Sequence, residues 1–177
     1  MSFDYRAAKI RLLVLDVDGV LTDGRIMISG EGELFKSFSV RDGLGIKLLQ
    51  KAGIEVAILT GRTSSIVARR AEELGMRRVE QGKLDKLPTL LKMLEEMQLE
   101  PEALAYMGDD LPDLPCLRIA GLAATPADGN PDLRPYVDFV AAKPGGAGAV
   151  RELAERILKA QNKWDGLMAE LYLGGDR

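Results

Sequence analysis

The chain has 177 residues, a length that predicts a single domain with a full hydrophobic core. It has no histidine and only one cysteine, Cys116. These counts exclude Ser–His and Cys–His catalysis, zinc fingers and an intrachain disulfide. Any chemistry must therefore use carboxylates, lysine, arginine, hydroxyls or a hard metal ion. The net charge of −3 argues against non-specific nucleic-acid binding, and the longest uncharged run, Ile119–Ala127, is too short for a membrane span. The first residues, Met1–Asp4, form no apolar signal core, so we expect a cytoplasmic protein.

Apolar runs of strand length alternate along the chain with segments in which apolar residues recur at helical spacing. Strands are predicted at Leu12–Val17, Glu55–Thr60, Ala103–Met107, Gly121–Ala124 and Val137–Ala141, and helices at 66–74, 87–97 and 150–158. This alternation predicts an α/β fold with a Rossmann-like parallel sheet that carries helices on both faces.

One segment after the first strand interrupts this alternation. Arg25–Ser29 and Glu33–Phe38 flank a glycine-containing loop, a pattern typical of a β-hairpin. A hairpin over 25–38 is too small for a separate domain, so we expect a flap at the carboxyl edge of the sheet and no cap domain. Residues 1–177 are therefore predicted to form one domain, with a loosely patterned C-terminal tail at about 163–177.

Polar residues follow three of the predicted strands, at the sheet edge where parallel α/β proteins bind ligands. The first strand ends in Asp16-Val17-Asp18-Gly19, the second in Thr60-Gly61-Arg62, and the third in Gly108 to Asp113, which includes Asp109 and Asp110. Each pattern alone is typical of a solvated turn or a helix cap. Two acidic clusters at one edge would repel each other unless a cation lay between them, so together they indicate a Mg²⁺ site made of oxygen ligands.

A lysine near this edge would supply the positive charge that a phosphoryl group requires. Lys83 and Lys86 both lie between a short strand and the helix predicted at 87–97. Lysines at helix starts are commonly solvated, and the residues alone do not choose between these two.

These segments, in this order, resemble the four motifs of haloacid dehalogenase superfamily phosphatases. The resemblance is carried by Asp16–Asp23, Thr60–Arg62, a downstream lysine and Gly108–Asp113, and it extends over nearly the whole chain. The small size and the hairpin without a cap resemble the capless branch of that superfamily. The resemblance also selects Lys86 as the motif lysine.

The resemblance implies a mechanism for phosphate-ester hydrolysis. Asp16 would be the nucleophile and form an aspartyl-phosphate, while Asp18 would act as general acid and then general base. Mg²⁺ would be held by Asp16, Asp109 and the backbone carbonyl of Asp18. Supporting residues are also implied: Asp110 and Asp113 around the metal, and Thr60 and Lys86 on the phosphoryl oxygens.

A closer likeness over Lys36–Ile46, and over the late Gly145-Gly146 with Arg151-Glu152, implies the substrate class. It indicates an eight-carbon keto sugar acid 8-phosphate, an intermediate of lipopolysaccharide precursor synthesis, with Arg41 as the natural partner of its carboxylate or phosphate. The residues expected to contact the substrate are Asp18, Ser39, Val40, Arg41, Asp42, Gly43, Arg62, Arg70 and Lys86. Ala147 stands where relatives often carry a charged residue after the glycine pair, which leaves a plain strand-to-helix connection as an equal interpretation of that loop.

The resemblance implies partners as well, and two other functions stay open. Members of the branch form homotetramers in which neighbouring subunits, including their C-terminal tails, cover the site; Trp164 and Tyr172 are candidate contacts in the tail. One alternative is a nine-carbon keto-sugar-acid 9-phosphate phosphatase or a broad-specificity phosphatase. The other is a non-catalytic, receiver-like module that only binds Mg²⁺, although the second acid followed by Gly19 argues against it.

Overall fold

The computed structural model describes residues 2–174, and its core is one parallel sheet of six strands. The six strands are β1 (Leu12–Leu15), β4 (Glu55–Leu59), β5 (Arg78–Glu80), β6 (Leu104–Met107), β7 (Leu122–Thr125) and β8 (Phe139–Val140). Their order across the sheet is β5-β4-β1-β6-β7-β8, and each neighbouring pair is parallel. The α/β fold predicted from the alternating patterns is confirmed.

Helices cover both faces of this sheet. They are α1 (Phe3–Ala7), α2 (Val40–Lys51), α3 (Ser65–Glu73), α4 (Leu87–Met97), α5 (Leu114–Ile119), α6 (Ala149–Ala160) and α7 (Trp164–Leu171). Alternate residues of a strand point to opposite faces, so Leu13 and Leu15 of β1 pack in the core that contains α2, α3 and α6, and Leu12 and Val14 in the core that contains α4 and α5.

The predicted hairpin forms a separate two-stranded antiparallel sheet of β2 (Met27–Ser29) and β3 (Gly32–Phe35). It follows directly on the loop after β1, and no residue of either strand is buried. Among residues 2–174 the hairpin is the only insertion between β1 and α2, so the described part of the chain contains no cap domain.

Four of the helices, α1, α2, α5 and α7, were not predicted from the sequence. In α2, Gly43 and Gly45 weaken the helical pattern, and the packing explains the second: a Cβ on Gly45 would lie 3.0 Å from the Cα of Arg151 in α6. In the tail, α7 buries only Leu167.

The last residues of the predicted tail, 175–177, lie outside the described residues, as does residue 1. No helix in the described range is both long and apolar enough to span a bilayer.

The register of the central strands brings their carboxyl ends together. Leu15, the last residue of β1, pairs with Ile58 of β4 on one side and Met107 of β6 on the other. The polar residues that follow these three strands therefore lie side by side at one edge of the sheet.

Candidate active site

Three predicted motif residues, Asp16, Thr60 and Asp109, leave the ends of neighbouring strands. The amide of Asp16 still donates to Met107 O at 3.1 Å, and the amide of Thr60 to Glu80 O at 2.9 Å, so sheet hydrogen bonds hold the backbone of both residues. The side chains of Asp16 and Thr60 are buried. The sheet thus presents a carboxylate and a hydroxyl from a rigid backbone.

Asp16, Asp109 and Asp113 form a tight acidic cluster in which one carboxylate oxygen from each residue lies within 4.8 Å of the others. Burial, followed by the charge of Asp113, raises the pKa of Asp16 to about 6. Burial, followed by the charge of Asp16, raises the pKa of Asp109 to about 8. Both shifts show that negative charge is costly here without a cation.

Lys86 supplies a positive charge to this cluster. Its Nζ lies 3.1 Å from Asp16 Oδ1 and 2.6 Å from Asp113 Oδ1, and the side chain is buried. Burial would lower the pKa of Lys86, but the charges of Asp113 and Asp16 outweigh it and raise that pKa, so the ammonium stays charged. Lys83, the alternative that the residues left open, is instead partly exposed and pairs with Glu80 at 3.5 Å.

Asp113 organises the groups around it. Its Oδ1 accepts from Lys86 and, at 2.7 Å, from the hydroxyl of Tyr106. Its Oδ2 accepts from the amides of Asp109 at 3.1 Å and Asp110 at 3.3 Å. Tyr106 was not predicted as a site residue. A tyrosine hydroxyl in a buried strand requires a hydrogen-bond partner, so its place in the sequence could have indicated a polar group nearby.

The donor set fits a hard divalent cation. Asp16 Oδ1 is buried and has no assigned hydrogen bond to another described residue, although the ammonium of Lys86 lies 3.1 Å away. That oxygen and the neighbouring carboxylate of Asp109 are the oxygen ligands that Mg²⁺ prefers. Asp110 faces elsewhere, since its Oδ1 accepts from the Leu111 amide at 2.8 Å and from Asn130 Nδ2 at 2.7 Å.

Two glycines allow the backbone to approach these acids closely. A Cβ on Gly19, whose φ is +91°, would lie 2.0 Å from Asp109 Oδ2. A Cβ on Gly108 would lie 2.3 Å from the Cγ of Asp113. Any side chain at either position would displace a carboxylate of the cluster.

The carboxylate of Asp18 lies outside the acidic cluster and faces the hairpin. Its Oδ1 accepts from Lys36 Nζ at 2.5 Å, and Arg62 Nε lies 3.9 Å from its Oδ2. The side chain of Arg62 is half exposed, as expected for a residue that meets a ligand from solvent. Lys36 carried no separate signal of its own beyond its place in a longer segment with similarity to the family.

The loop predicted to contact the substrate divides into exposed and buried parts. Val40 and Arg41 are exposed, whereas Ser39 begins α2 by accepting from the amides of Arg41 and Asp42. The carboxylate of Asp42, which was predicted to contact the substrate, is buried. It accepts from the amides of Gly148 at 3.1 Å and Arg151 at 2.8 Å. Asp42 therefore caps α6 from a distant part of the chain.

Gly43 and Arg70 support this loop from below. A Cβ on Gly43 would lie 2.6 Å from Arg70 Nη2, and Gly43 is buried. The guanidinium of Arg70 also pairs with Glu73 at 3.2 Å and lies 5.9 Å from the ring centre of Phe38. In the structure both residues are therefore packing partners of the loop, and their contact with substrate stays a prediction.

The late glycine loop packs on the loop that follows β1. The amide of Gly146 donates to Val20 O at 2.9 Å, and a Cβ on Gly145 would lie 1.8 Å from Gly19 O. This packing supports the simpler interpretation of the segment as a close-packed connection. Ala147 lines an open cavity beside Arg41 and Arg151.

Comparison with known proteins agrees with this arrangement. A family model described as a haloacid dehalogenase-like hydrolase matches residues 33–121. The chain belongs to this family, which confirms the resemblance carried by its motifs. A 3-deoxy-D-manno-octulosonate 8-phosphate phosphatase from Yersinia pestis is 47% identical over 161 residues, covering 91% of this chain and 86% of that protein. A protein of the same description from Escherichia coli K12 is 46% identical over 160 residues, covering 90% and 85%.

Solved structures show the same similarity. The 3-deoxy-D-manno-octulosonate 8-phosphate phosphatase from Moraxella catarrhalis, in complex with a magnesium ion, a phosphate ion and a KDO molecule, is 45% identical with a TM-score of 0.92, covering 94% of this chain and 96% of that one. A cobalt-bound deoxy-D-mannose-octulosonate 8-phosphate phosphatase from Haemophilus influenzae is 42% identical with a TM-score of 0.87, covering 89% and 92%. Membership of a hydrolase family favours the phosphatase interpretation over a receiver-like module.

Proposed function

We propose that this chain is a Mg²⁺-dependent phosphatase that hydrolyses 3-deoxy-D-manno-octulosonate 8-phosphate to the free sugar acid and inorganic phosphate. The observation that carries the proposal is the buried carboxylate of Asp16, which lies 3.1 Å from the ammonium of Lys86 and within 4.8 Å of carboxylate oxygens of Asp109 and Asp113. The similar protein from Moraxella catarrhalis, whose structure holds a magnesium ion, a phosphate ion and a KDO molecule, supports the metal and the substrate.

The reaction uses two carboxylates in two steps. An oxygen of Asp16 bonds to phosphorus as the bond from phosphorus to the sugar oxygen breaks, and Asp18 gives that oxygen a proton. Water then attacks the phosphorus of the aspartyl-phosphate, Asp18 accepts the proton of the water, and Asp16 departs as a carboxylate with release of phosphate. Lys86 and Thr60 hold the phosphoryl oxygens during both steps.

A Mg²⁺ ion would be held by the side chains of Asp16 and Asp109 and by the backbone carbonyl of Asp18. It would supply positive charge that offsets the charge of the acids and of the phosphoryl group. Asp113 supports this site through the amides of Asp109 and Asp110, and Asp110 through its bond to Asn130.

Substrate contacts come from the exposed part of the site. Arg41, Val40 and Arg62 line its entrance, and Arg62 also reaches toward Asp18. We assign Ser39 and Asp42 to the geometry of this entrance, since both are engaged as helix caps.

We further propose a cytoplasmic homotetramer in lipopolysaccharide precursor synthesis, in which neighbouring subunits cover the open site. Support comes from the exposed apolar side chains around the hairpin. They are Ile26, Met27, Ile28, Leu34 and Phe35. In the tail, Tyr172 is exposed and available to a neighbour, whereas Trp164 lies beneath Arg151 and Lys159 of its own subunit.

The proposal is tested by phosphate release from 3-deoxy-D-manno-octulosonate 8-phosphate with and without Mg²⁺. Asp16→Asn is expected to lower kcat by at least about a thousandfold and Asp18→Asn by about a hundredfold or more. Asp132→Asn, a change of an exposed acid outside the site and the tail, is the matched control and should leave kcat unchanged. Full activity of Asp16→Asn, or release that does not depend on Mg²⁺, would contradict the mechanism.

The choice of an eight-carbon substrate has its own measurement. We expect kcat/KM for the 8-phosphate to exceed that for a nine-carbon keto sugar acid 9-phosphate by at least about tenfold. The reason is that phosphatases for the two sugars are expected to differ in the residues that hold the sugar. Comparable values would overturn the substrate and leave the phosphatase chemistry intact.

A further inference from the structure

Lys36 is a buried lysine for which the proposed mechanism has no use. Its side chain is only 1% exposed, and its Nζ lies 2.5 Å from Asp18 Oδ1 and 3.1 Å from Glu33 Oε1. A lysine at the end of a hairpin strand is normally solvated, so near-complete burial of this one requires a specific partner on each side.

Glu33 connects the lysine to the body of the domain. It lies in β3 and accepts a hydrogen bond from the hydroxyl of Ser64, the residue that begins α3. The amide of Ser64 in turn donates a hydrogen bond to Gln81 Oε1 at 2.8 Å, which fixes the position of Ser64. A continuous chain of polar contacts therefore runs from α3 through Glu33 and Lys36 to Asp18.

The contacts leave the two oxygens of Asp18 in different surroundings. Oδ1 accepts a hydrogen bond from Lys36 at 2.5 Å, whereas the contact of Oδ2 with Arg62 Nε is longer, at 3.9 Å. Burial would lower the pKa of Lys36, but its hydrogen bonds to Asp18 and Glu33 outweigh that effect and raise it, so the ammonium stays charged while it holds the carboxylate.

We propose that Lys36 is a positioning residue for Asp18: it fixes the carboxylate through Oδ1 and leaves Oδ2 to exchange the proton with the substrate. The inference rests on the proposed role of Asp18 as general acid and base. It also gives the hairpin a function within its own subunit, because Glu33 of β3 anchors the lysine. A general acid is effective only when its proton is held within hydrogen-bond reach of the leaving oxygen.

The test compares two substrates whose leaving groups differ in their need for a proton. The sugar phosphate releases an alkoxide and requires the acid, whereas p-nitrophenyl phosphate releases a stable phenolate and does not. The rate of alcohol release in the first turnover follows only the formation of the aspartyl-phosphate. For Lys36→Met we expect a loss of about 20-fold or more with the sugar phosphate and of less than about threefold with p-nitrophenyl phosphate.

Controls separate this effect from general damage. Lys92→Met removes an exposed lysine that pairs with Glu96 at 3.8 Å, and both rates should stay at the wild-type value. If Lys36→Met does not fold, Glu33→Gln carries the test, with a loss of about fivefold confined to the sugar phosphate. Equal losses with both substrates, or no loss with either, in the folded variant would overturn the inference. Absence of phosphate release by the wild-type protein would instead overturn the proposed function.

Discussion

Asp113 is the residue through which the charged groups of the site are connected. Its carboxylate is buried and accepts from Lys86, Tyr106 and the amides of Asp109 and Asp110. Because two of these donors belong to the loop after β6 and one to the start of α4, Asp113 holds both Asp109, the proposed metal ligand, and Lys86, the proposed phosphoryl-binding lysine. A side chain with no proposed contact to the substrate thus supports the geometry of the proposed catalytic groups.

The hydroxyl of Tyr106 tests this role with a change of a single atom. Tyr106→Phe removes a 2.7 Å hydrogen bond to a buried carboxylate, so we expect the free energy of unfolding to fall by about 2 kcal/mol and kcat to fall several-fold. Urea unfolding and phosphate release measure the two effects. Tyr136→Phe, which changes an exposed tyrosine, should alter neither, and equal behaviour of the two variants would contradict the role of Asp113.

The raised pKa of Asp109 predicts how stability changes with pH when Mg²⁺ is removed. Its pKa is about 8 in the folded protein, against about 4 when unfolded, so the folded state binds the proton more tightly. The stabilisation is complete below about pH 4 and is lost as the pH rises to about 8. Asp16, with a pKa of about 6, contributes to the lower part of this range, which leaves the interval above pH 6 mainly to Asp109.

In EDTA we therefore expect the Tm of the wild type to fall by about 3 °C or more between pH 6 and pH 8. Asp109→Asn should flatten this dependence, and Mg²⁺ should reverse it in the wild type only, since the ion binds the ionised carboxylates. Thermal melts followed by circular dichroism measure both effects. A wild-type Tm that is independent of pH over this interval would show that the acids do not repel one another as described.

At the scale of elements, the pairing of α2 with α6 determines the position of residues 39–43, the loop proposed to contact the substrate. Gly45 lets the two helices approach closely, and Asp42 at the start of α2 accepts from two amides at the start of α6. The glycine loop that precedes α6 packs in turn on the loop after β1. Arg41, next to Asp42, is thereby held at a defined place relative to Asp16.

Replacement of the cap tests this pairing. Asp42→Ala leaves two buried amides without an acceptor, so we expect the free energy of unfolding to fall by about 1–3 kcal/mol. KM for the sugar phosphate should also rise, because the neighbouring Arg41 loses its support. Urea unfolding and steady-state kinetics check these outcomes, with Asp132→Ala at an exposed position as the control. A cap variant as stable as the control would show that the two hydrogen bonds contribute nothing.

At the scale of the molecule, the hairpin has two different sides. Glu33 and Lys36 turn toward the site, while apolar side chains such as Ile28 and Leu34 are exposed. A two-stranded hairpin is marginally stable by itself, and an exposed apolar surface is typical of an interface with another protein chain. The same element can therefore support Asp18 within its own subunit and contact a neighbouring one.

A charge on the apolar side should disrupt the proposed tetramer. For Ile28→Lys, whose wild-type side chain is 70% exposed, we expect a smaller assembly in light scattering and a lower kcat/KM with the sugar phosphate. Leu91→Lys makes the same change at an exposed position on α4 and should leave the wild-type mass unchanged. A wild-type protein that is monomeric, or an Ile28→Lys variant with the wild-type mass, would rule out this interface.

Local patterns were sufficient to predict the sheet, the hairpin and the acids at the carboxyl edge. Apolar runs of strand length, and the alternation of side chains along a strand, depend only on a few neighbouring residues. Parallel strands in one sheet then bring their carboxyl ends to the same edge. Helix α2 was missed because Gly43 and Gly45 weaken its pattern, and the reason for those glycines lies in distant residues, Arg70 and Arg151. The sequence pattern of a segment does not show how much space the rest of the fold leaves for its side chains.

By itself, the sequence determined the fold class, the chemistry open to a chain without histidine, and the identity of Asp16, Asp18 and Asp109 as candidates. Only the tertiary structure decided which residues hold these groups in place. It showed that Asp42 caps a helix and that Lys36 contacts Asp18. These assignments depend on contacts between residues 18 to 109 positions apart, and a pairing over such separations is defined only when the chain has folded.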